Sequence, residues 1–388
     1  MGADRIPTIV KFPLIFLFCL ALRAEVIPGT VNVPGSFVPI ATNGTSSAES
    51  IGRILLVIQR DIPIESAAHF DKWQSQVESE GHKVTRLYGP KQNAKETNQA
   101  VNFAKSQVWP WVKQNPGSYV FFVGDLPMPR TGYGINPDGH TGSAGAYAAT
   151  SFYAAPDELW TDVRDNSGLK PRAALLNLPG DGKMDNGTLL HPVKAKVGWF
   201  NPFYNPKTFG ITNSNQSEYV VDVLRRYFDL NVRFRRGELK AERIGVGEEK
   251  GKFNAGVVAW AIQQVGASNV ITFDRTESYF VRLPFLIDRD FKGFTDSASF
   301  WGRMATGAMF SGLDLTFGSY QVDYGTPRTS FPMNCGALAV GNMGGAWNLT
   351  DWQAKTLGEL WEQTVTQYGM IYVNLYGDPT LRLVPFKR

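Results

Sequence analysis

From Arg53 onward the chain alternates between short, continuous apolar runs and longer stretches with helical spacing. Arg53 to Ile58 (RILLVI) has strand length and is apolar on both faces, as a strand buried between two layers must be. Phe70, Trp73 and Val77 then recur at helical spacing within Glu65 to Glu80, and Gly81 supplies a residue able to end the helix. Lys83 to Tyr88 (KVTRLY) reads as a second strand. A helix follows from about Glu96, with Ala100, Val101, Ala104, Val108, Trp111 and Val112 on one face. Pro110 should kink it, and Asn115-Pro116-Gly117 should stop it. Tyr119 to Val123 (YVFFV) is a third strand. Strand, helix, strand, helix, strand with apolar strands predicts a parallel sheet flanked by helices.

The pattern loosens over 126–215, which is rich in Gly, Pro and Asn and carries only short strand candidates such as Val193 to Trp199. A stretch of that length is too long for one connection and is expected to pack as an insertion or subdomain. Helical spacing returns at Glu218 to Leu230 and at Ala255 to Val265, each able to feed a strand, Asn269 to Phe273 (NVITF) and Leu313 to Phe317 (LDLTF). A helix around Lys355 to Gln367 precedes extended segments at Met370 to Leu375 and Thr380 to Val384. The fold class is therefore α/β, a mainly parallel sheet with helices on its faces and a Gly/Pro/Asn-rich insertion in the middle.

The N-terminus changes the picture of where the protein works. Arg5 and Lys11 precede an apolar run, Phe12 to Leu22, too short for a bilayer-spanning helix of about 20 residues. Residues 1–24 read as a secretory signal, with a retained N-terminal anchor as the alternative, because Leu22 is large for its position before the cleavage site. Residues 25–50 read as a linker or irregular edge, and 51–388 as the folded domain. No second run approaches membrane length, so the mature chain is expected to be secreted, periplasmic or held at the cell surface. Removing Arg5, Lys11, Arg23 and Asp4 with the signal leaves 36 basic against 34 acidic residues, a balance that excludes a nucleic-acid footprint. Cys19 leaves with the signal and Cys335 remains alone, so no internal disulfide supports the fold.

In open parallel sheets, ligands bind beyond the carboxyl ends of the strands. Those ends carry Asp61, Asp125, Asp274-Arg275 and Gly318-Ser319-Tyr320, which makes Asp125, Asp274, Ser319 and Tyr320 the candidate substrate-binding residues. The competing reading is that Asp is a common turn residue bonding its own backbone. The segment from Asn177 to Gly187 offers Asn177, Asp181 and Asp185 as oxygen ligands around glycines, the pattern of a Ca²⁺ loop. Pro179 and the missing twelfth-position Glu favour a plain Asp/Gly turn instead. Trp347, Trp352 and Trp361 read as helix-packing and core residues rather than a stacking platform.

Five motifs together resemble the catalytic domain of the gingipain-type cysteine peptidases: VGD at 123–125, NPDGH at 136–140, PGDGKMD at 179–185, VGWF at 197–200 and GDPTLRL at 377–383. The resemblance covers about 51–384 and implies a caspase-like α/β fold, a protein or peptide substrate or ligand, and a cysteine nucleophile with a histidine base. In that family the histidine follows one core strand in a Gly-His-Gly turn and the cysteine closes the next. Here NVITF ends in Asp274-Arg275 and LDLTF in Gly318-Ser319-Tyr320, with neither residue in place. The one remaining thiol, Cys335, and the Gly-flanked His140 form the only substitute catalytic pair with a site-like context. The sequence thus points to an exported protein with a gingipain-like peptidase domain that is catalytically degenerate. A non-catalytic surface module for peptide or glycan stays open beside it, as does an active peptidase using Cys335 and His140.

Overall fold

The computed structural model describes residues 51–93, 95–132, 145–171, 175–203, 216–238 and 354–382 except 370 and 372. Between 239 and 353 it describes only 244–248, 262, 267–274, 285–288, 313–316 and 339–341. The expected start is present: β1 (Gly52–Gln59), α1 (Ala67–Ser79), β2 (His82–Gly89) and β3 (Ser118–Val123). The helix between β2 and β3 is built in three pieces, α2 (Gln99–Phe103), a π-helical turn (Ala104–Val108) and α3 (Trp109–Gln114). Pro110 stands in the first turn of α3. It has no N–H to return to the preceding turn, and the wide turn before it absorbs that loss without a break.

Later come β4 (Arg130–Thr131), β5 (Tyr147–Ala148), α4 (Ser151–Ala154), β6 (Lys183–Met184), β7 (Ala195–Phe200) and α5 (Gln216–Arg235). The chain closes with β8 (Ile244–Glu248), β9 (Val270–Asp274), β10 (Phe285–Asp288), β11 (Leu313–Thr316), β12 (Ala339–Gly341), α6 (Leu357–Tyr368) and β13 (Leu375–Gly377). The main sheet has ten strands in the order β2-β1-β3-β7-β13-β12-β11-β10-β8-β9, and β5-β4-β6 form a separate small sheet. Neighbours in the main sheet are parallel except at β13, which is antiparallel to β12 and meets β7 through the single pair Tyr376–Trp199. The sheet is therefore mainly parallel. The expected insertion divides: its first part carries the small sheet, while β7 lies at the heart of the main one.

Side-chain alternation along β3 assigns the helices to faces. Phe121 meets Trp73 of α1 and Phe228 of α5, with ring centroids 5.7 and 6.3 Å away. Its neighbour Phe122 meets Tyr153 of α4 and Trp199 of β7, both at 4.6 Å. Successive strand residues point to opposite faces, so α1 and α5 cover one side and α4 the other. On α5, Val220, Val223, Leu224, Tyr227, Phe228, Asn231 and Val232 are all buried, a stripe with helical period that seats it on the sheet. No described helix is long and apolar enough to cross a membrane.

Candidate functional site

The carboxyl ends of β1, β3 and β7 lie side by side at one edge of the sheet, and each contributes a polar residue there. β1 ends in Gln59, whose side chain is buried. β3 runs into Gly124, where φ is +127° and an added Cβ would stand 2.4 Å from Cβ of Gln59. Glycine is needed at that point on both counts. The turn it permits brings the Asp125 N–H onto Oε1 of Gln59 at 2.6 Å, while the Asp125 carbonyl accepts from the Gln92 N–H at 2.6 Å. β7 runs into the buried Asn201, which donates through Nδ2 to Oδ1 of Asp125 at 3.2 Å and accepts from the Phe203 N–H at 3.0 Å.

Asp125 is thus pinned through its own backbone and through Asn201, with its carboxyl group half-buried at the mouth of the sheet. Burial raises its pKa above the ordinary value, and Lys91 and the Asn201 bond oppose that shift without cancelling it. The Lys91 ammonium lies 6.0 Å from the centroid of the Phe203 ring. A carboxylate that has lost part of its hydration, and is held by a rigid frame, suits capture of a hydrogen-bond donor or cation from a ligand.

The other candidate residues do not gather at this point. Asp61 is exposed in the turn after β1. Asp274 is the last residue of β9, which closes the far side of the sheet, seven positions from β3 in the strand order. At about 4.8 Å per strand the two strand ends lie roughly 34 Å apart, so the two are not brought together. Ser319, Tyr320, His140 and Cys335 lie outside the described residues.

Around the loop proposed for calcium, Asn177 donates through Nδ2 to Oδ1 of Asp185 at 3.0 Å, so this pair does meet. Asp185 also accepts from the N–H groups of Val163 and Arg164. Asp181 is bonded within its own turn, accepting from the N–H groups of Leu178 and Lys183 and from the Lys183 ammonium. Asp162, which belongs to no motif of the sequence, accepts from Gly180 N–H at 2.9 Å and Gly182 N–H at 2.7 Å. Its carboxyl pKa is raised by burial first, against those two bonds, with Asp181 and Asp185 adding to the rise. These carboxylates hold backbone N–H groups, as Asp/Gly turns do. Among the described residues no group of three or more His, Cys, Asp or Glu side chains is placed to hold a metal ion.

The terminal GDPTLRL motif builds a buried polar lock at the opposite, amino-terminal edge. Asp378 is fully buried and accepts through Oδ2 from Trp73 Nε1 (2.7 Å), Asn231 Nδ2 (3.0 Å) and Arg235 Nη2 (2.7 Å). Its Oδ1 accepts from the N–H and the hydroxyl of Thr380 at 2.9 and 2.6 Å. Burial alone would raise the Asp378 pKa, yet Arg235 and Thr380 hold it below the ordinary carboxylate value. Arg235 also donates to Glu80 at 2.6 Å, so one guanidinium ties α5 to both α1 and the segment after β13. Two motifs meet here: a Cβ on Gly198 of VGWF would lie 2.2 Å from the Gly377 carbonyl oxygen and 2.6 Å from Cδ of Pro379. This part of the resemblance is architecture. No family model, curated protein or solved structure matches the chain.

Proposed function

We propose that this is an exported protein with a gingipain-like peptidase scaffold, catalytically degenerate, whose strand-end loops around Asp125 hold a peptide. The observation that carries the reading is the Gln59–Asp125–Asn201 frame, in which three adjacent parallel strands present one partly desolvated carboxylate at the edge where such sheets bind ligands. The VGD glycine that the frame needs belongs to the motif set behind the resemblance. On the catalytic side, β9 ends in Asp274 and is followed by Arg275, and β11 is followed by Phe317-Gly318-Ser319, so neither carries the histidine or the thiol that acyl transfer by this family requires. A serine at 319 without a histidine base is a weak nucleophile.

The test has two arms on the purified chain. A mixed peptide library incubated at neutral pH with a thiol reductant should show no cleavage, and the same library passed over immobilised protein should retain peptides. Asp125→Asn should lower that retention about tenfold, the worth of one charge-assisted hydrogen bond. Cleavage that disappears in Cys335→Ser would overturn the degenerate reading. Retention unaffected by Asp125→Asn would remove Asp125 as the contact.

A further inference from the structure

At the amino-terminal edge, away from Asp125, a cleft of about 470 Å³ opens beside the starts of β2 and β3. That volume lies within the roughly 300–1,000 Å³ typical of small-molecule sites. Its walls come from five parts of the chain: the end of α1, the first residues of β2 and β3, the end of α5, the start of α6 and the segment after β13. The apolar and planar surface is supplied by His82, Tyr119 and Phe234.

The charges in this lining are unequal in what they have left to offer. Both carboxylates are engaged by the wall itself. Glu80 accepts from Gln76 Nε2 at 2.9 Å and from Arg235 at 2.6 Å, and Glu359 accepts from the Thr356 N–H at 2.6 Å. Arg235 is spent on Glu80, Asp378, Thr380 and Asn231, and Arg382, the third arginine of the lining, donates through Nη1 to the Ala354 carbonyl. Arg236 is different: among the described residues only its Nε has a close partner, Gln76 Oε1 at 2.8 Å. Its nearest carboxylate, Glu238, is 4.0 Å away and is shared with Arg233 at 3.5 Å. Half of the Arg236 side chain is exposed, so its two Nη groups can reach a ligand.

Two further features favour negative charge. α6 begins at this cleft, and its first N–H groups are already bonded to Leu381 O, Pro379 O and Thr356 Oγ1. The helix end therefore contributes a positive field rather than free donors. Burial pushes the Tyr119 phenol up to about 12, so it stays a neutral hydroxyl, and its one partner, Thr356 Oγ1, is distant at 3.3 Å.

We infer that this cleft binds a small organic anion, a carboxylate, sulfonate or phosphate carried on an apolar or planar body, with Arg236 as the charge contact and Tyr119 and Phe234 as the walls. The probe is 8-anilinonaphthalene-1-sulfonate, which has this chemistry, titrated by fluorescence into the folded full chain. Binding should be saturable at one site and should weaken as salt screens the Arg236 charge. Arg236→Gln, with its fold checked by circular dichroism, should weaken it about tenfold, Arg236→Lys less, and Asp125→Asn not at all. Absence of saturable binding to the wild type, or equal affinity in Arg236→Gln, would overturn the assignment. A loss in Asp125→Asn would move the probe to the other edge and overturn it as well.

Discussion

Replacing Asp378 with Asn changes one atom of a fully buried side chain, and the bonds around it determine the outcome. Five donors converge on the carboxylate, three on Oδ2 and two on Oδ1. An amide has one acceptor oxygen. Turned one way, its NH₂ faces Trp73 Nε1–H, Asn231 and Arg235; turned the other way, it faces the Thr380 N–H. The second orientation costs least, since the Thr380 hydroxyl can rotate, but one backbone N–H is still left without its acceptor at about 1–3 kcal/mol. The substitution also removes the negative charge beside Arg235, whose side chain is 5% exposed, leaving Glu80 as its sole counter-charge among the described residues. Breaking one side of a buried ion pair typically costs about 3–5 kcal/mol, and the same range is expected here. Urea unfolding followed by tryptophan fluorescence measures it, with the midpoint shifting at constant slope. The exposed pairs of Arg225 with Asp222 and Asp229 give the contrast: solvent screens them, and Arg225→Ala should cost below about 1 kcal/mol. A loss below about 1 kcal/mol for Asp378→Asn would refute the idea that GDPTLRL acts as a lock.

Two other outcomes follow from the same edge of the sheet. Gly198→Ala sets a methyl against backbone atoms of Gly377 and Pro379 that cannot move aside, and should lower stability by at least about 1–3 kcal/mol in thermal melts. Burial, then Arg235, lowers the His82 pKa below its ordinary 6.5, against Asp378, Glu80 and the Gly52 backbone. The folded state thus binds this proton less readily than the unfolded one, so His82 favours folding above pH 6.5 and that contribution falls away as pH drops below it. His82→Gln should flatten the pH dependence of the melting temperature in that window, and an unchanged slope would contradict it.

Local pattern carried the first half of the fold. RILLVI, the Phe70-Trp73-Val77 stripe and YVFFV became β1, α1 and β3 because each is bounded by residues that punctuate the chain and, Arg53 apart, is buried. β8 (IGVGE) and β12 (AVG) passed unnoticed, since glycine and a length of three residues give almost no periodic signal. Strand order was not legible either. It is a tertiary choice, and it sets Asp274 seven strands away from Asp125 although both follow apolar runs in the same manner. Asp125 could be found from sequence because VGD follows a strong strand, but its partners Gln59 and Asn201 come from 66 and 76 residues away. Asp378 shows the same limit: the motif was visible, while its bond to Trp73 spans 305 residues.

The position of β13 has a consequence for how the chain can assemble. It is the strand between β7 and β12, so the two flanking halves share no ladder until residues 375–377 are in place. During synthesis, β7 on one side and β12 on the other present bare hydrogen-bonding edges, each a template for pairing with another chain. Asp378, one residue later, then closes the buried ion pair that fastens α5 against α1. Among the described strands of this sheet β13 comes last in sequence, and it is the keystone for which cooperative closure waits. A chain ending at Asn374 would keep nearly all of its apolar surface and lose the piece that joins it, which makes aggregation rather than partial function its natural fate.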